Sequence, residues 1–222
     1  MQYRTQPFQF FVTLVAASLW GMVSAQQPFT VTVDYSQAPS CQTFAEKSKT
    51  LVEEWYPKLT KILFGDNHAL PYPEVKLIFK PMKGVAGTVN NEITISEDWV
   101  TKKAPDDYGM VVHELTHVVQ NYKGKGEWWL MEGIADYTRD RHFEPGRRKH
   151  RIDRAKNSYK QGYGIAATFL IWLEDVKTKD KDLVRKLNTA CHDGTYSAEK
   201  FKELCGADAD SLWQEFLTTL AK

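Results

Sequence analysis

Nine residues, Val111-Val112-His113-Glu114-Leu115-Thr116-His117-Val118-Val119, set the tightest limit on how this chain can fold. Two histidines four positions apart, set among valines and a leucine, require a helix buried over most of its circumference that still turns both imidazoles to one side. The two rings then lie about 6 Å apart along the axis, close enough to share a metal ion. Glu114, directly after the first histidine, stands where it can move protons beside that ion. A His-Glu-x-x-His spacing on a helix is the pattern of a zinc site with a glutamate as general base.

The flanks supply the rest of a site. Pro105-Asp106-Asp107 opens the helix with a proline and acids at its positive end, and Lys123-Gly124-Lys125-Gly126 closes it. A second helix, Trp128 to Arg141, carries Glu132-Gly133-Ile134-Ala135-Asp136, again an acidic pair at helical spacing. A catalytic zinc takes three protein ligands and keeps a fourth position open. Glu132 is the natural third ligand beside His113 and His117, and Asp136 is then free to accept a hydrogen bond from the other nitrogen of His113. The reverse assignment, Asp136 on the metal and Glu132 behind it, stays open. His68, His142 and His192 have no partner spacing and read as surface residues. A cysteine ligand, as in peptide deformylases, fits poorly because Cys41 lies far upstream.

Residues 1–25 differ in kind from the rest of the chain: Arg4, then an apolar run from Phe8 to Trp20, then Val23-Ser24-Ala25. This reads as a signal peptide cleaved before Gln26, leaving residues 26–222 as one domain in a secreted or periplasmic setting, with no membrane segment after cleavage. Lys and Arg total 29 and Asp and Glu 28, so there is no electrostatic reason to expect a nucleic-acid partner. Cys41, Cys191 and Cys205 are an odd set, and Cys191 with Cys205 is the most economical disulfide. There is no Asn-x-Ser/Thr sequon.

The chain before the metal helix is mixed. Phe29 to Tyr35 alternates as a strand, and Cys41 to Phe64 carries a helical apolar stripe that Pro57 interrupts. Val75 to Lys80 is a second strand. Asn90-Asn91 between two β-branched runs marks a hairpin, whose glycine-dotted first strand is a candidate edge for pairing with an extended peptide. The chain after the metal helix is helical: a long helix from Tyr159 to Lys177, then shorter ones near Asp182–Ala190, Ser197–Cys205 and Asp208–Leu220, with Ser197 and Asp208 as N-caps. Between these parts, Pro145 to Arg151 is a basic loop, read as solvated in preference to a selector of substrate charge.

Val111 to Tyr122, Glu132 to Tyr137, and Gly162-Tyr163-Gly164 leading into Phe169-Leu170 resemble the basic secretory protein family of plants and bacteria. The pairing of His113 and His117 with Glu132 and Asp136 also resembles the thermolysin-type, or gluzincin, zinc peptidases. The resemblance runs from Tyr35 to Phe216 and implies a secreted zinc peptidase acting on peptides or proteins. The expected fold is therefore α+β and zincin-like: a small N-terminal sheet with an edge hairpin packed on the zinc-binding helix, then a mostly helical half. This chain is close to neutral, so the family name's basic character does not carry over.

In the expected chemistry Zn2+ sits on His113, His117 and Glu132, and Glu114 is the general base. The tetrahedral oxyanion needs one further donor, with Tyr163 the first candidate and His150 the second. A catalytically silent binding or defence-type protein with a structural metal is the competing reading, against which Glu114 argues: a structural site closes four ligands and needs no base. A cell-wall amidase would share the zinc chemistry and differ in its groove.

Overall fold

A computed structural model of the chain describes Met1, residues 28–123 and residues 126–220. The expected signal peptide lies outside the described residues. Among those described, no helix is long and apolar enough to cross a membrane.

The fold is α+β, with the sheet first and the helices gathered behind it. Strands β1 (Thr30–Asp34), β2 (Glu74–Lys80), β3 (Ala86–Val89) and β4 (Glu92–Ser96) form one sheet in the order β1-β2-β4-β3. β1 and β2 are parallel, as are β2 and β4, and only the β3–β4 hairpin is antiparallel. Parallel neighbours need a crossover, and helix α1 (Gln42–Phe64) supplies the one between β1 and β2. It continues through Pro57 without a break. The hairpin turns at Asn90, whose φ of 55° lies in the left-handed region that asparagine tolerates.

One face of the sheet is buried. Val75, Leu77 and Phe79 of β2 and Ile93 and Ile95 of β4 point into the core at the strand period of two. Against them pack α1, through Phe44, Val52, Leu59 and Leu63, and the metal helix α2 (Tyr108–Gln120). The buried apolar side chains form one continuous core that runs on into the helical half.

That half comprises α3 (Trp128–Tyr137), α4 (Tyr163–Trp172), α5 (Leu183–His192), α6 (Glu199–Cys205) and α7 (Ala209–Thr219). α3 and α4 pack closely because position 133 is glycine: a Cβ there would lie 2.7 Å from that of Ala166. Asp208 caps α7 by accepting from the Ser211 N–H at 2.9 Å.

Several boundaries differ from the sequence expectation. α2 stops at Gln120, ahead of the expected Lys123–Gly126, because Asn121 takes a left-handed φ of 36°. The helix expected over 128–141 leaves α geometry after Tyr137 and continues as a π-helical turn, Thr138–Phe143. The one expected over 159–177 is broken: a 3-10 turn, Tyr159–Gln161, ends at Gly162, and α4 gives way to a π-helical segment, Leu173–Thr178. Ser197 does not cap α6, which starts at Glu199 behind Ala198. Cys191 and Cys205 are not paired; all three cysteines are free and buried. Burial pushes the Cys191 thiol up to about 12 and that of Cys205 to about 11. His142 and His192 are half-buried, with His192 Nδ1 3.0 Å from the Gln120 carbonyl oxygen; only His68 is exposed.

Candidate metal centre

α2 is held at both ends before it presents anything. Asp107 accepts from the Met110 N–H at 3.2 Å as its N-cap, and Asn121 turns the chain away at the C-terminus. Valines, leucine and methionine cover the buried side. His113, Glu114 and His117 share the remaining side and line an open cleft of about 730 Å3 with Thr88, Glu132 and Tyr163.

Three ligand atoms converge in that cleft. His113 Nε2 lies 3.2 Å from His117 Nε2, and Glu132 Oε2 lies 3.2 Å from the first and 3.5 Å from the second. Ligands at about 2.0–2.1 Å around a tetrahedral zinc stand about 3.3 Å apart, so this triangle has the dimensions the ion requires. These three atoms could hold a metal ion.

Both imidazoles are oriented by their other nitrogen. His113 Nδ1 is 2.8 Å from Asp136 Oδ1, and His117 Nδ1 is 2.7 Å from Gln120 Oε1. Neither acceptor oxygen can donate, so Nδ1 of each ring carries a proton, and the neutral ring is the tautomer that offers Nε2. Gln120 is itself fixed, its amide donating to the Met131 carbonyl at 3.0 Å. The structure thus brings together His113, His117, Glu132 and Asp136 in the arrangement expected with Glu132 in the triangle. Both oxygens of Asp136 are engaged elsewhere: Oδ1 with His113 and Arg148, Oδ2 with Arg148.

The protonation pattern comes from this crowding. Burial opposes a charge on His113, but the hydrogen bonds to Asp136 and Glu132 outweigh it and raise its pKa to about 9. Burial likewise opposes charge on Glu132, and hydrogen bonds from His113 and His117 bring it down to about 2. Asp136 is lowered against its burial by His113 and Arg148.

Glu114 points into the cleft with one oxygen held: Thr88 Oγ1, on β3, donates to Oε2 at 2.7 Å. Tyr163 also lines the cleft, 49% exposed, its ring stacked 6.0 Å from that of His113 and edge-on to Trp128 at 5.5 Å. Gly162 and Tyr163 have φ values of +69° and +48°. A bulky residue in that region is strained, and the two together turn the chain so that α4 begins with Tyr163 at the cleft. Burial, then the charges of Glu132, Glu114 and Asp136, raise the tyrosine's pKa and keep its hydroxyl protonated. His150 does not line the cleft; its Nε2 lies 2.7 Å from Asp140 Oδ2.

Sequence reasoning missed Thr88, Gln120 and Arg148. Gln120 had a local signal, three residues after His117 on the same helix. Thr88 had none.

The family profile described as peptidase of plants and bacteria matches residues 25–216. Comparison with curated proteins and with solved structures gave no match. The match spans most of the chain, including both histidines, Glu132 and Asp136, so the chain belongs to this family of peptidases of plants and bacteria.

Proposed function

We propose that the protein is a secreted zinc-dependent peptidase, with residues 1–25 its signal peptide and residues 26–222 its peptidase domain. The observation that carries the reading is the triangle of His113 Nε2, His117 Nε2 and Glu132 Oε2 with Glu114 beside it. Two imidazoles and one carboxylate suit zinc. When bound, zinc supplies Lewis acidity toward a water molecule and the scissile carbonyl.

The chain's own residues do the remainder. Asp136 and Gln120 hold the imidazoles in the tautomer that offers Nε2. Glu114 takes a proton from the attacking water at its free oxygen and delivers it to the leaving amine. Tyr163, protonated and at the rim, donates to the oxyanion.

The hairpin supports a peptide as substrate. Val85 accepts from the Ser96 N–H at 2.9 Å, so by the alternation of an antiparallel ladder Val85, Gly87 and Val89 face β4. Ala86 and Thr88 then direct their N–H and C=O groups to the outer edge, along the cleft. An extended peptide pairing there runs past Glu114.

Casein and peptidoglycan fragments, offered to the purified protein with and without a chelator, test the reading. Casein is cleaved, chelation stops it, and added Zn2+ restores it; cleavage of the glycan-linked amide alone would identify a cell-wall amidase instead.

A further inference from the structure

The basic loop Pro145 to Arg151 takes no part in the mechanism above; its Arg147, Lys149 and Arg151 are exposed, yet Arg148 and His150 turn inward. Arg147 pairs with Asp106 at 2.7 Å. Arg148 reaches beneath the metal centre, its Nη1 and Nη2 donating to Asp136 Oδ1 and Oδ2 at 3.0 and 2.8 Å, with Nη1 also 3.2 Å from Asp140 Oδ1. His150 pairs with the other oxygen of Asp140. Its ring fills the place a side chain at Gly164 would take, in the first turn of α4 beside Tyr163. The loop is therefore pinned to α3 through Arg148 and to the start of α4 through His150.

We infer that Arg148 is a positioning residue for the metal centre, whose guanidinium fixes Asp136 against His113 and fills a second cation position between Asp136 and Asp140. The inference rests on the metal-site reading. Asp136 is a buried carboxylate with three hydrogen bonds, two from Arg148 and one from His113. The two-pronged contact sets the carboxylate plane, which leaves the His113 bond as the direction remaining to Oδ1. With both oxygens held, Asp136 cannot swing onto the ion in place of Glu132. Asp136, Asp140 and His150 also offer ligand atoms within 4.8 Å of one another. Arg148 already lies among them with its positive charge, so the centre holds one ion. The loop charges that face Asp136 and Asp140 thus serve the protein's own carboxylates.

The test is Zn2+ binding by chelator competition to the purified full-length protein and to its Arg148→Ala and Arg148→Lys variants. Electronic spectra of the Co2+-saturated proteins and melting of the metal-free proteins accompany it. The parent binds one ion per chain. Arg148→Ala weakens binding by about 10–100-fold, the loss typical of an outer partner of a metal-bound histidine, and alters the Co2+ bands. Arg148→Lys recovers only part, because an ammonium cannot span both oxygens; it also carries the test if the alanine variant does not fold. Lower melting temperatures with unchanged affinity and superimposable Co2+ spectra would overturn the inference, leaving Arg148 a structural tie. So would two ions bound per parent chain. A parent that binds none would overturn the metal centre itself, and this inference with it.

Discussion

Thr88 Oγ1 donates to Glu114 Oε2 at 2.7 Å, joining the edge strand of the sheet to the residue directly after the first histidine of the metal helix. The same hydroxyl lies 3.1 Å from the Glu114 backbone oxygen. The contact engages one carboxylate oxygen of Glu114; in the proposed mechanism the other faces the attacking water.

Replacing Thr88 with valine keeps the β-branched shape and removes the donor. A hydrogen bond to a charged group is worth about 1.5–3 kcal/mol, and if half of it acts on the orientation of Glu114, turnover falls roughly 4- to 13-fold. Steady-state kinetics on a casein-derived peptide checks this. The loss falls on kcat with the metal content unchanged.

Metal uptake should release a proton. In the metal-free protein His113 holds its proton until about pH 9, while Glu132, at about 2, is ionised throughout the neutral range. An ion arriving near neutral pH must displace the His113 proton, so affinity rises with pH and levels off above about 9. Calorimetric titration of Zn2+ in two buffers of different protonation enthalpy reads the release directly, at about one proton per ion. Equal heats in the two buffers would contradict it.

Tyr163→Phe removes the hydroxyl and keeps the ring that stacks on His113. If the hydroxyl serves the oxyanion, kcat falls by about 10²–10³ while KM and Zn2+ affinity hold. A loss confined to KM would make Tyr163 a substrate-binding surface.

How much of this was legible in the sequence depends on the range of each contact. His113, Glu114 and His117 are neighbours on one helix, and Glu132 and Asp136 repeat the same spacing on the next, so local periodicity named these candidates but left open which of the two acids faces the histidines' Nε2 atoms. Thr88 meets Glu114 only because the hairpin edge packs beside α2, twenty-six residues away, and no local pattern encodes that. The break before α4, at Lys160-Gln161-Gly162, was not legible because a glycine is tolerated in a helical pattern; the positive φ of Gly162 and Tyr163, a tertiary demand, reveals it. Cys191 and Cys205 are near in sequence, but nearness does not aim two sulfur atoms at each other. The basic loop is solvated as expected at Arg147, Lys149 and Arg151; the inward turn of Arg148 and His150 was not legible, because their partners Asp136 and Asp140 are brought beside them only by the fold.

We propose that Glu114 moves the proton in a zinc-dependent hydrolysis. Casein cleavage by the Glu114→Gln variant, with zinc content measured on the same preparations, tests it most directly. Parent and variant should hold zinc equally, and the variant should be slower by about 10²–10⁴. A variant that cleaves as fast as the parent, or a parent that cleaves casein without zinc, would contradict it.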